Sequence, residues 1–274
     1  MTDTSSAMPK APLGVGKIIS EAFSILFSNF VKVLILGFLA TFLGFIINGL
    51  IVGFPAAAGM PDPATLGDPN TIVVGTVVSS IINIVIYGFV TAMLIQLAYD
   101  AKLGRNGSIG EYISGALPAL FPIVVLSIVV SILSGIGALA LIIGAFWVYA
   151  VFYVFAPAAV IEGTGFGSLG RSAGLTKEYR WPIVGLFLVM LIIVFIIQLV
   201  VGGIFGAVLL TGGDPLAAVQ NGISTGSAIL FGLVVSLISG LAYGLSGIAV
   251  ALVYARLREI KEGVAVDQIA SVFE

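Results

Sequence analysis

The residues best placed to do chemistry are few, and they gather where long apolar runs end. Glu162 directly follows an uncharged interval that runs from Tyr112 to Ile161, and Arg171 lies a short way beyond it. A carboxylate in that position meets a steep desolvation cost and needs a partner, which Arg171 or Arg256 can supply in two-pronged form. Asp100, Glu162, Arg171, Arg256 and Arg258 form the candidate cluster at this boundary. Two readings fit it: a site for a lipid headgroup or partner protein, or a structural clamp on the segment around Arg171. The run GTGFG at 163–167 has no strand before it and no Lys-Ser/Thr after it, so it reads as a turn into a helix, not a phosphate loop.

Beyond this cluster the chain offers little for catalysis. It contains no Cys and no His, which leaves no thiolate nucleophile, disulfide, thiolate-held metal or imidazole base. General acid-base chemistry and metal activation of water both need positioned ionisable groups, and none falls inside the apolar runs. A protein without enzymatic activity, cofactor or metal is therefore expected. Asn48, Asn83, Gln96 and Gln198 are the amides within the runs, together with several Ser and Thr. They can hydrogen-bond between helices or line a permeation path. A proton-coupled pump lacks its intramembrane carboxylate, while passage of a neutral solute stays open.

The elements that must position these residues follow from composition. Of 274 residues, 59% are hydrophobic and only 9% charged, and the mean hydropathy is +1.22. A soluble domain carries roughly 25% charged residues, so the solvent here is largely lipid. A net charge of -2 and the lack of a Lys/Arg run exclude nucleic acid as a partner.

Charge-free intervals locate the spans, because an ionised side chain is costly at the bilayer centre. They run over Val33–Pro61, Pro69–Tyr99, Tyr112–Ile161, Trp181–Gly213 and Pro215–Ala255. Each exceeds the roughly 20 residues needed for a crossing. The third is long enough for two, since one helix of that length would reach roughly 75 Å. Ser134-Gly135-Ile136-Gly137 is the expected turn. Six spans result, at about 31–54, 71–99, 119–134, 138–161, 182–210 and 225–255.

In this arrangement all 11 Lys and Arg fall on one side, while Asp62, Asp68 and Asp214 face the other. Positive flanks stay cytoplasmic, so both termini are expected inside. Nothing near the first span reads as a cleaved signal.

An internal repeat precedes the spans. Val15, Ile18, Ile19, Ala22 and Leu26 share a helical face, away from Lys17, Ser20, Glu21 and Ser24. Similar spacing returns in Ile109, Tyr112, Ile113, Ala116, Leu117 and Leu120, and more weakly in Phe166, Leu169 and Ala173. A partial copy is Val266, Ile269, Ala270 and Phe273. The repeat is either ancestral or the common form of any short linker lying on a membrane. The expected fold is an all-α integral membrane protein with six transmembrane helices as three hairpins, each preceded by a cytoplasmic interfacial amphipathic helix. Residues 1–13 are expected to be a disordered tail, 14–263 one membrane domain and 264–274 a cytoplasmic amphipathic segment.

Span six carries Gly232, Ser236, Gly240 and Gly244, small residues every four positions that form a candidate packing face. Because lipid gives no hydrophobic gain for joining helices, close approach over such a face is the main source of packing. Span six is expected at the centre.

Two stretches, PAAVIEGTGFGSLGRSAGLTKEYRWPI at 157–183 and VYARLREIKEGVAVDQIASVF at 253–273, carry a resemblance. The chain resembles the bacterial membrane-domain family named after glycerophosphoryl diester phosphodiesterases. The resemblance rests on Pro157, Glu162, Gly163, Arg171 and Ser172, and on Leu257, Arg258, Lys261, Glu262 and Gly263. A Tyr-Asp pair expected before the closing motif is absent, and Tyr99-Asp100 stands after span two instead. In that family the hydrolytic chemistry belongs to a separate soluble domain with histidines and acidic metal ligands, so the resemblance implies the membrane module alone. The expected function is a non-enzymatic polytopic membrane protein of the bacterial cytoplasmic membrane that binds or organises lipids, other membrane proteins or a second copy of itself. The alternative is a transporter or channel for a small, mainly uncharged solute.

Overall fold

Backbone polar groups in hydrocarbon must be satisfied within the chain, and an apolar sequence of this kind meets that demand with helices. The computed structural model describes residues 11–59, 69–140, 142–211 and 224–263. Their elements are α1 (Val15–Ser28), α2 (Phe30–Val52), a short α3 (Phe54–Ala57), α4 (Pro69–Lys102), α5 (Ile109–Ala140), α6 (Ile142–Val151), α7 (Phe155–Ile161), α8 (Ser168–Thr176), α9 (Arg180–Thr211) and α10 (Thr225–Glu262). No strand occurs among the described residues. Six segments are long and apolar enough to cross a membrane: Phe30–Val52, Val73–Lys102, Ile109–Leu139, Ile143–Ile161, Arg180–Val200 and Thr225–Glu262.

Local chemistry sets several of the ends. Asn29 separates α1 from α2, and its amide donates to the Ile25 carbonyl at 3.1 Å. At the start of α5, Ser108 and Glu111 cap each other's backbone, at 2.8 Å and 3.3 Å. Gly263 closes α10 with a left-handed φ of 67°, a conformation that glycine adopts without steric cost.

Three boundaries differ from the sequence expectation. Helix α5 runs unbroken through Pro118, Pro122 and the expected turn, so the Ile109–Leu120 segment is continuous with span three. Gly137 instead packs against span four: a Cβ on it would fall 2.8 Å from the Gly144 carbonyl oxygen. Its lack of a side chain serves close helix approach, not chain reversal. The expected tail is anchored from Ala11 onward, with Leu13 buried and the Tyr179 hydroxyl donating to the Ala11 carbonyl at 2.9 Å. The partial repeat at Val266–Phe273 lies outside the described residues.

Helix α10 touches α1, α2, α4, α7, α8 and α9. Gly232, Ser236, Gly240 and Gly244 are all buried. Gly232, Gly240 and Gly244 face Phe45, Gly37 and Val33 of α2, while the Thr41 hydroxyl of α2 lies 2.7 Å from the Ser236 carbonyl. The two stripes share a four-residue period and interlock. At their closest point a Cβ on Gly240 would sit 2.6 Å from the Gly37 carbonyl carbon, so no larger residue fits without moving backbone. Among the intramembrane amides, Asn48 accepts from Ser79 at 2.8 Å and Gln96 reaches the Tyr112 carbonyl at 3.4 Å. Gln198 is exposed.

Gly240→Leu should therefore cost about 1 to 3 kcal/mol by overpacking. Val234→Leu, at a position 45% exposed, should be nearly silent. Thermal melting of both variants beside wild type in detergent checks this, and equal melting temperatures would refute the seam.

Candidate functional site

Span four carries the key irregularity. Pro157 has no N–H and its ring crowds the carbonyl four residues earlier, at Tyr153; the helix breaks there, between Val151 and Phe155. The Phe155 N–H turns to the Phe152 carbonyl at 3.2 Å, which leaves the Val151 carbonyl and the Val154 N–H without their α-helical partners.

Helix α8 supplies the replacements. The Ser172 hydroxyl donates to the Val151 carbonyl at 3.0 Å and accepts from the Val154 N–H at 3.2 Å. The Thr176 hydroxyl lies 2.9 Å from the same Val151 carbonyl. Ser168, Ser172 and Thr176 are fully buried, so α8 turns a hydroxyl face inward. Phe166, which the repeat pattern assigned to an apolar face of this segment, is exposed and edges against Phe121. A neighbouring helix that re-satisfies a proline break is a known use of Ser and Thr in membranes.

Docked in this way, α8 aims Arg171 at Glu162. The guanidinium Nε lies 2.8 Å from Oε2 and Nη2 lies 2.7 Å from Oε1, a two-pronged pair. Arg171 Nη1 reaches Glu262 Oε1 at 2.5 Å. Arg258 Nε lies 3.0 Å from Glu262 and 3.7 Å from Glu162. The Tyr254 hydroxyl donates to Glu162, the Arg258 guanidinium stands 5.7 Å from the Tyr254 ring centroid, and Tyr99 approaches Arg258 from α4. Lys261 donates to the Gly174 and Lys177 carbonyls at 2.9 Å and 2.8 Å, tying the end of α8 to α10.

The structure thus joins Glu162, Arg171 and Arg258 of the predicted cluster and places the other two elsewhere. Asp100 faces Tyr112. Arg256 pairs with Glu259 at 2.8 Å and reaches the Pro12 carbonyl at 3.3 Å. Sequence reasoning missed Tyr254 and Thr176. Tyr254, Arg258 and Glu262 recur every four residues and so share one helical face, a spacing that was available as a signal.

Burial pushes the Glu162 carboxyl upward, but hydrogen bonds from Arg171 and Tyr254 and the nearby guanidinium charges outweigh it and hold the group below its ordinary 4.5. Hydrogen bonding to Glu162 and Glu262 keeps Arg171 above its ordinary value. Two cations face two carboxylates, and the cluster is closed. Among the described residues no group of three or more His, Cys, Asp and Glu could hold a metal.

A second candidate lies deeper. A cavity of about 400 Å³ opens between α4, α5, α6, α7 and α10. Tyr87, midway along span two, packs edge-on to Tyr243 at 5.2 Å, and Tyr149 and Tyr153 complete a layer of four tyrosines. Ser127, Ser131 and Asn83 add polar groups to its lining, and Asn83 and Ser131 are exposed. Ser134 Oγ and Thr91 Oγ1 are buried with no partner at hydrogen-bonding distance, although the Tyr87 hydroxyl stands near Thr91. A smaller chamber of about 180 Å³ on the α9 side shares all four tyrosines. Neither chamber is lined by a carboxylate, lysine or arginine.

The fold and these sites define a polytopic helical membrane protein. No family model, curated protein or solved structure matches the chain.

Glu162 tests the clamp through pH. Its folded pKa lies below the unfolded one, so its contribution to stability is present above about 4.5 and is lost as pH falls through the folded value. Glu162→Gln should cost about 1 to 2 kcal/mol at neutral pH, a figure reduced for partial exposure. Between about pH 6 and pH 3 the melting temperature of the variant should fall less steeply than that of wild type. Parallel curves would mean that Glu162 is not held as its geometry indicates.

Proposed function

We propose that this is a non-enzymatic membrane protein that takes an uncharged lipid or lipid segment into the cavity between α4, α5, α6, α7 and α10. The observation that carries the reading is the character of the walls. They are mainly aliphatic and aromatic, they bring hydroxyls and one amide but no charge, and their 400 Å³ suits a small ligand. The buried Ser134 hydroxyl, without a hydrogen-bond partner among the described residues, favours a ligand with a polar group inside the apolar space. The closed Glu162–Arg171–Arg258–Glu262 cluster supports a clamp at the cytoplasmic side in preference to a headgroup site.

One observation favours transport as the second reading: the two chambers meet at the same four tyrosines, which could separate two ends of a path for a small neutral solute. Native mass spectrometry of gently extracted protein separates these. The expected result is a retained uncharged lipid that is lost in Ser127→Phe, which fills the cavity, and kept in Ile128→Phe, on the exposed side of α5. Equal retention in both variants would overturn the lipid reading, and solute uptake into vesicles abolished by Ser127→Phe would favour the second.

The same reading sets the chain in a bacterial cytoplasmic membrane with both termini inside, supported by the one-sided placement of its 11 Lys and Arg. It groups the spans as three hairpins, with α1, the start of α5 and α8 as segments at the cytoplasmic boundary. The resemblance to the phosphodiesterase-associated membrane family belongs with it, since Pro157, Glu162, Arg171, Ser172, Arg258, Lys261, Glu262 and Gly263 each have a physical part in the break, the clamp or the helix cap. A single cysteine at Ala64 or Ala217, both outside the described residues, should react with an impermeant thiol reagent in whole cells. One at exposed Gly170 should not. Ser168 is a poor reporter because it is fully buried. Labelling at Gly170 in intact cells would reverse the orientation.

A further inference from the structure

Five cations on the Lys/Arg-rich side of the fold have an anionic or carbonyl partner. Lys102 meets Glu21 at 2.9 Å, Arg171 and Arg258 share Glu162 and Glu262, Arg256 meets Glu259 and Lys261 meets two carbonyls. At one place two cations have no carboxylate partner among the described residues. An open groove of about 720 Å³ lies between the joint of α1 and α2 and the loop from α4 to α5, and both Lys32 and Arg105 line it while no carboxylate does.

The two cations are differently held. Lys32 Nζ donates to the Asn106 side chain and to the Gly107 carbonyl, the latter at 2.7 Å. An ammonium has three donors, so one remains for a ligand and the group is already fixed in place. Arg105 is exposed, and its guanidinium bonds no other described residue. Ser24, Ser28, Asn29 and Asn106 add neutral polar groups to the same walls. Beside this polar floor, Phe27 is 66% exposed, Phe30 40% and Val31 64%. A cationic pocket with exposed aromatic and aliphatic side chains on its edge matches a molecule that is anionic at one point and apolar beyond it.

We infer that the groove formed by Lys32, Arg105, Asn29 and Asn106 holds the phosphate of an anionic phospholipid, with Phe27, Phe30 and Val31 against its acyl chains. The assignment is independent of the cavity, which shares no lining residue with the groove and is uncharged. Lys32 gives the phosphate a positioned donor, and Arg105 closes over it as a two-pronged one. A zwitterionic lipid brings its own cation to the same place and gains less.

The test is native mass spectrometry of the full chain in detergent, titrated in turn with phosphatidylglycerol, phosphatidylcholine and inorganic phosphate. Wild type should retain phosphatidylglycerol about tenfold better than phosphatidylcholine, and Arg105→Gln should lower that retention about fivefold, as expected for loss of one interfacial cation. Because Arg105 is exposed and its guanidinium bonds no other described residue, its variant should melt like wild type. Lys32→Gln combined with Arg105→Gln should remove the preference, whereas the cavity-filling Ser127→Phe should leave it intact. Equal retention of the two lipids by wild type, or unchanged retention in Arg105→Gln, overturns the site. Inorganic phosphate binding as tightly as the lipid overturns the assignment to a lipid.

Discussion

A backbone group without a partner is costly in hydrocarbon, and the break at Pro157 leaves the Val151 carbonyl and the Val154 N–H without their α-helical partners in span four. Leaving a carbonyl and an N–H unpaired there costs several kcal/mol. Ser172 answers both with one hydroxyl, and Thr176 adds a second donor. This repair fixes the rotation of α8 about its axis, because only one face of a short helix can present Ser168, Ser172 and Thr176 to span four. Arg171 then follows by geometry, about 100° round the helix from Ser172, where it meets Glu162 at the end of the broken span. The ion pair is a consequence of the break. It closes the segment between the end of α7 and the start of α8.

The clamp also depends on where α10 stands, since Tyr254, Arg258, Lys261 and Glu262 all come from that helix. Lipid does not drive α10 inward, so its position rests on contact area and on polar bonds between helices. Gly37 against Gly240 sets the closest approach, and the Thr41 hydroxyl on the Ser236 carbonyl adds a directional bond near the same crossing. Further along, Gly244 admits Val33 and Leu94. The seam holds the helix in register, and its far end brings Glu262 to Arg171. A shift of one residue in that seam would carry Arg258 and Glu262 away from α8, so the packing face and the charged cluster form one mechanical system.

The six spans were legible because absence of charge is a strong constraint, and the pairing of Glu162 with Arg171 followed from the cost of leaving a carboxylate alone at a boundary. The small-residue period of span six was legible for a similar reason: few other arrangements allow backbones to touch. Other features were hidden by competing rules. Gly135 and Gly137 read as a turn, yet in α5 the helix continues and Gly137 serves contact with Gly144; sequence does not tell a glycine kept for conformation from one kept for space. Phe166, Leu169 and Ala173 suggested one apolar face, whereas α8 buries Ser168, Ser172 and Thr176, two of which answer the Val151 carbonyl. The four tyrosines of the cavity come from three spans, and nothing in the spacing along one helix reveals a layer assembled across several.

Charge balance separates what binds from what holds. In the cluster around Glu162 each guanidinium has a carboxylate in contact, so its field nearly cancels at a distance and an incoming anion would have to displace a two-pronged pair. Such an arrangement gives geometric definition and little affinity for a ligand. The cavity is the opposite case: it is uncharged, and its buried Ser134 hydroxyl, unpaired among the described residues, gains a hydrogen bond when a polar group enters. The groove at Lys32 and Arg105 is a third case, in which charge is left uncancelled beside exposed aromatic rings. Binding capacity resides where satisfaction is incomplete, and in this protein those places lie away from the residues whose ion pairs first drew attention.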